Sequence, residues 1–105
     1  MSRCRRCEPV PEGVRDIASL LERRWQLSIL YAALLGALRF NEFAESVGSI
    51  SPRMLTERLR ELEAAGLVAR TVLPTRPPQV EYRLTQRGLA LRPVLEAMRV
   101  YSDRR

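Results

Sequence analysis

Two cysteines and a set of arginines are the residues whose chemistry stands out in this chain. Cys4 and Cys7 sit among Arg3, Arg5 and Arg6, and nearby positive charge stabilises a thiolate over a thiol. Such thiolates are open to sulfenic acid formation, to a Cys4–Cys7 bridge, or to a bridge between two copies. The plain alternative is a pair of bystander thiols on a frayed terminus, and a remoter one is a zinc site with two sulfurs from each of two copies. The chain contains no His, so nucleophile–His pairs are excluded and a four-ligand zinc site within one chain is hard to assemble. The five Gly are scattered singly and form no phosphate loop. No catalytic constellation, metal site or cofactor is expected, and the chain does not read as an enzyme.

All 18 basic residues are Arg, the net charge is +6 and the sequence pI is about 10.6. That balance favours polyanions, nucleic acid first among them. An Arg-rich codon usage would produce the same composition, so placement has to decide. Residues 51–65 read as a helix with Ser51 as N-cap and Pro52 in its first turn. At about 100° per residue, Leu55, Leu59 and Leu62 gather on one side, with Arg53, Glu57 and Arg60 opposite and Met54, Thr56 and Glu61 at the flanks. A helix of this width fits the major groove of B-DNA. Arg53 and Arg60 are suited to paired hydrogen bonds with guanine, and Thr56 to a thymine methyl or a phosphate. Ser51 and the helix N-terminus can bind a phosphate through backbone N–H groups. The bland reading is a solvated face in which Arg58–Glu61 and Glu57–Arg60 are simple surface pairs. The neighbouring segment argues against it: residues 68–84 alternate as two short strands around Pro74-Thr75-Arg76-Pro77-Pro78, with Arg70 and Arg83 on the strands and Arg76 at the tip. A tip arginine is placed for a minor groove or a phosphate.

Several elements must position these residues. Apolar spacing predicts a first helix over Glu12–Arg23, after an arm spanning residues 1–11, and a second over Trp25–Leu35 ended by Gly36. Leu38-Arg39-Phe40 reads as an extended link. Asn41 is then placed to cap a short helix from Glu42 to Val47, and Gly48 to end it. Gly66 stands at the close of the 51–65 helix. Thr85 is placed to cap a last helix over residues 86–102, with a kink or break expected at Pro93. The expected fold is mainly α with one small β-hairpin over residues 1–105, a winged helix-turn-helix domain with added N- and C-terminal helices.

Specific stretches carry a family resemblance. Arg39-Phe40-Asn41-Glu42-Phe43, Ile50 through Glu63, Gly66-Leu67-Val68, Val80 through Thr85, and Gly88 agree in order and spacing with the HxlR-type family of winged helix-turn-helix bacterial transcriptional regulators, which this chain resembles. Cys7, Pro9 and Trp25 match that family's N-terminal region, although Glu22-Arg23-Arg24 stands where its members usually carry Gly-Lys. The resemblance implies a dimeric DNA-binding regulator, in some members responsive to oxidants or electrophiles through the cysteine matching Cys7.

The stripe of Leu91, Val94, Leu95, Met98 and Tyr101 on the last helix and the apolar side of the first exceed what one small domain can cover. A homodimer through these helices is expected, with its two recognition helices about 34 Å apart on a palindromic double-stranded site. The competing class is a winged helix used only for protein–protein contact. No apolar run approaches the roughly 18 residues of a membrane span, and no signal-type stretch follows the basic N-terminus. A cytoplasmic location with reduced thiols is therefore expected. A small-molecule effector is not legible.

Overall fold

The second helix, QLSILYAALL, is apolar nearly all round, and a helix of that kind is stable only when other elements surround it. In the computed structural model, which describes residues 7–104, this helix is the hub. The order is α1 (Glu12–Leu21), α2 (Gln26–Leu35), α3 (Phe40–Val47), α4 (Pro52–Ala64), β1 (Val68–Leu73), β2 (Gln79–Leu84), α5 (Gln86–Leu89) and α6 (Arg92–Asp103). Helix α2 touches α1, α3, α4, α6 and β2. Ile29 and Leu30 of α2 join Phe43 of α3, Leu55, Leu59 and Leu62 of α4, Val68 of β1 and Leu95 of α6 in one buried cluster.

Local chemistry sets the element ends. The Ser51 hydroxyl accepts from the Met54 N–H at 3.1 Å, and Pro52 fills the first turn of α4, where its missing N–H leaves no bond unmade. Gly66, at φ +77°, follows the C-cap of α4 in the left-handed conformation that non-glycine residues resist. Helix α3 begins earlier than expected: Phe40 is its first residue, Arg39 holds the cap position and Asn41 lies inside. The reason is Glu42, whose carboxylate accepts from the N–H groups of Leu38 and Arg39 at 2.9 and 3.0 Å. Those bonds hold its pKa below the ordinary 4.5. Helix α1 is shorter than expected and ends at Leu21. Trp25 stands outside α2, at φ +79°, with the Arg24 guanidinium 4.7 Å from its ring.

The strands form an antiparallel pair in which Val68 faces Leu84, Arg70 faces Tyr82 and Val72 faces Val80. The Tyr82 N–H donates to the Leu38 carbonyl at 2.8 Å, so the link before α3 braces the hairpin from outside.

The expected last helix over 86–102 is two helices. Thr85 caps α5 by accepting from the Gly88 N–H at 3.1 Å, while its own hydroxyl donates to the Gly66 carbonyl at 2.6 Å. Ala90 and Leu91 then break the chain's course, and Pro93 sits in the first turn of α6. A continuous helix would need a Pro93 N–H and would press its ring on the carbonyl four residues earlier. Starting afresh at Arg92 removes both faults. Among the described residues no single helix is long and apolar enough to cross a membrane.

Candidate nucleic-acid interface

Helix α4 has two charged sets with opposite fates. Arg53 is almost fully exposed in the first turn and lies 4.0 Å from Glu57, its one ionic partner among the described residues. Arg60 is exposed one to two turns further on. Arg58 is instead buried, with 7% of its surface accessible. Its Nε donates to the Arg24 carbonyl at 2.9 Å, and its Nη1 reaches both Glu61 oxygens at 3.0 Å. Glu61 also accepts from Gln26 Nε2 at 3.1 Å and pairs with Arg23 at 3.0 Å. Arg58 and Glu61 are therefore not the simple surface pair of the bland alternative. They are a partly buried network that fastens the recognition helix to the turn between α1 and α2. A signal was available in the sequence: on the helical wheel Arg58 lies within about 40° of Leu62, at the border of the apolar arc. The Oε1 of fully buried Gln26 is the one buried side-chain polar atom without a partner among the described residues.

The outward residues divide by direction. Thr56, Arg60 and Glu63 follow one another at i, i+4 and i+7 along the flank of α4 that faces the hairpin. Together with Arg70 and Tyr82 they line a crevice of about 340 Å³. Residues on a strand alternate between faces, so Arg70 and Tyr82, paired across the ladder, share the face turned to α4. Arg83 and Glu81 lie on the other face, joined at 3.1 Å. The structure thus brings Thr56, Arg60 and Arg70 together and leaves Arg83 out. Glu63 and Tyr82 were not legible as members of this group, because the register that faces β2 toward α4 is a tertiary fact.

Of the other expected site residues, Met54 is half-buried and packs against the core, which commits much of its side chain inward. The Thr56 hydroxyl donates back to the Pro52 carbonyl at 2.9 Å. Ser51 spends its oxygen on the Met54 N–H and stands exposed at the start of α4. Arg76 is exposed in the loop tip, where Thr75 Oγ1 donates to the Pro77 carbonyl at 2.8 Å. Cys7 is exposed ahead of α1, at φ +49°. Cys4, with Arg3, Arg5 and Arg6, lies outside the described residues.

An exposed helix face presenting Arg53 and Arg60 beside a two-stranded wing presenting Arg70 and Arg76, both carried on three packed helices, is the winged form of helix-turn-helix. The HxlR-like helix-turn-helix family pattern matches residues 20–105. This chain belongs to that family. The HTH-type transcriptional regulator YodB of Bacillus subtilis is 44% identical over 85 residues, covering 81% of this chain and 76% of the relative. A second relative from that organism, the uncharacterized HTH-type transcriptional regulator YybR, is 39% identical over 105 residues, covering 98% of this chain and 84% of its own length. Among solved structures, the redox regulator HypR in its oxidized form superposes with a TM-score of 0.82 at 39% identity, covering 89% of this chain and 96% of that one. The reduced form of YodB from B. subtilis gives 0.79 at 39% identity, covering 90% and 93%. YodB has also been solved as a diamide-treated and as a quinone-bound protein. The fold is thus a winged helix-turn-helix, and the HxlR-family relatives are transcriptional regulators, not enzymes.

Proposed function

We propose that this chain is a cytoplasmic, homodimeric transcriptional regulator whose single winged-helix domain binds a palindromic double-stranded DNA operator. The observation that carries the reading is the exposed outer face of α4, which presents Arg53 and Arg60 next to the wing with Arg70 and Arg76, and which is anchored through the partly buried Arg58–Glu61 pair. In this reading the first turn of α4 enters the major groove, where Arg53 meets base edges and Ser51 approaches a phosphate. Arg76 at the wing tip lies over the adjacent minor groove. The homodimer is supported by α6, which leaves Val94, Met98 and Tyr101 exposed on one apolar face, and by Val14 exposed on α1.

A redox input enters at Cys7. It is exposed on the arm that leads into α1, and similar structures include a redox regulator in an oxidized form and a diamide-treated regulator. Oxidation at this position would shift α1, and the Arg23–Glu61 and Arg58–Arg24 links would pass that shift to α4.

Selection of bound sequences from a random duplex pool tests the reading, and a palindrome is the expected result. Arg53→Ala is expected to cost about 1–3 kcal/mol on the selected site and to relax preference at one base position per half-site. Arg76→Ala is expected to weaken all duplexes evenly. Binding measured before and after mild diamide, in the wild type and in Cys7→Ser, tests the input. An affinity that does not move on oxidation of the wild type removes the sensing role.

A further inference from the structure

If α4 occupies a major groove and the wing reaches the neighbouring minor groove, the sugar–phosphate strand dividing the two grooves must cross the space between them. That space is the crevice lined by Thr56, Arg60, Glu63, Arg70 and Tyr82. We propose that it is a phosphate seat: one backbone phosphodiester of that dividing strand is held by Arg60 from α4 and Arg70 from β1, with Tyr82 as a hydroxyl donor; Thr56, whose hydroxyl hydrogen stays on the Pro52 carbonyl, only lines the wall. The proposal rests on the DNA-binding reading above and deepens it. It assigns Arg60 to the backbone instead of to a base, and it adds Tyr82 and Glu63 to the interface.

Three observations support it. First, the two arginines are uncommitted. Arg23, Arg53, Arg58, Arg83 and Arg99 each hold a carboxylate. Arg60 and Arg70 have no ion pair or side-chain hydrogen bond among the described residues, so their donors are open to an incoming anion. Second, the walls are pre-set. The Tyr82 ring stands edge-on to buried Phe43, with centroids 6.2 Å apart at 88°, and its backbone is tied to Leu38. The ladder fixes the Arg70 backbone opposite Tyr82, so only its side chain has still to be ordered on binding. Third, Glu63 places a carboxylate in the same crevice, and a phosphate entering there must be shielded from it by both guanidiniums. Glu63 thereby weakens every phosphate contact made at this point and holds down binding to duplexes that do not engage the rest of the interface.

The test is the salt dependence of duplex binding by the full chain, on both a random and a selected duplex. Arg70→Ala is expected to weaken both duplexes alike and to flatten the log–log slope by about 0.9 per protomer, the value for one phosphate contact. Because one phosphate is shared, Arg60→Ala with Arg70→Ala is expected to flatten the slope no further than either alone. Glu63→Gln is expected to tighten both duplexes about two- to fivefold, the size of one partly exposed charge interaction. Tyr82→Phe keeps the ring against Phe43 and is expected to lose only the contribution of the hydroxyl. An unchanged slope in Arg70→Ala, slope losses that add in the double variant, or a Glu63→Gln variant no tighter than the wild type each overturns the proposal. A wild type without salt-dependent duplex affinity overturns the DNA-binding reading itself, whereas loss of binding in Arg53→Ala with none of the three signatures overturns the seat alone.

Discussion

The inner helices and the terminal helices of this protein are finished to different degrees. Helices α3, α4 and α5 each begin on a side-chain oxygen that satisfies backbone N–H groups: Glu42, Ser51 and Thr85. Helix α4 buries Leu55, Arg58, Leu59 and Leu62. The terminal helices α1 and α6 begin without a side-chain cap. Between them they bury one residue, Leu95, although both are strongly amphipathic. Tyr101 keeps 72% of its surface exposed. A large apolar face left open beside a completed core marks an interaction surface. The lesson is one of roles: the winged unit is stabilised from within one chain, while α1 and α6 hold apolar surface in reserve for the proposed second copy.

This contrast can be broken most sharply on α6 itself, where neighbouring positions face opposite fates. Leu95→Asp is expected to unfold the protein, since losing a buried leucine alone costs about 2–5 kcal/mol and an unpaired buried carboxylate adds to that. Tyr101→Asp is expected to leave the circular dichroism spectrum intact and yield monomers in sedimentation. If both variants unfolded, the reserve surface would be part of the core after all.

The next largest effect belongs to the inner network. Arg58→Met removes the bonds to the Arg24 carbonyl and to Glu61, which keeps only Arg23 and Gln26, and urea unfolding is expected to show a loss of about 1–3 kcal/mol. Water reaches the partly exposed Glu61 and limits the loss. Ser51→Ala should cost about 1 kcal/mol by removing the cap of α4, again read by urea unfolding.

The smallest effect is set by pH. The bonds from Arg39 and Leu38 depress the pKa of Glu42 in the folded state, so its contribution is full above the unfolded value and fades as pH falls through the depressed folded value. Wild type and Glu42→Gln are therefore expected to differ in thermal midpoint at neutral pH and to converge in acid, below the ordinary carboxylate range. A constant offset at every pH would show that Glu42 acts by shape and not by charge.

Much of this molecule is written in local chemistry. Ser51-Pro52, Gly66 and Thr85 marked their helix ends because caps and left-handed glycines act within a few residues of themselves. Strand alternation marked the wing over 68–84 for the same reason. The family resemblance was equally legible, being carried by contiguous stretches.

One miss was local: Glu42, and not Asn41, caps the start of α3, and it does so on N–H groups only three and four residues away. Tertiary structure decided what depends on distant neighbours. Arg58 is buried because α4 lies against the turn after α1, 34 residues away in sequence. Leu95 is core while Tyr101 is surface because only one side of α6 meets α2. Arg70 joins Thr56 and Arg60 while Arg83 does not, because the hairpin packs on α4 with one face. A sequence sets each residue's local preference and its place on a helix or strand. Which face is then covered depends on how the elements dock, and docking is fixed by the whole core at once.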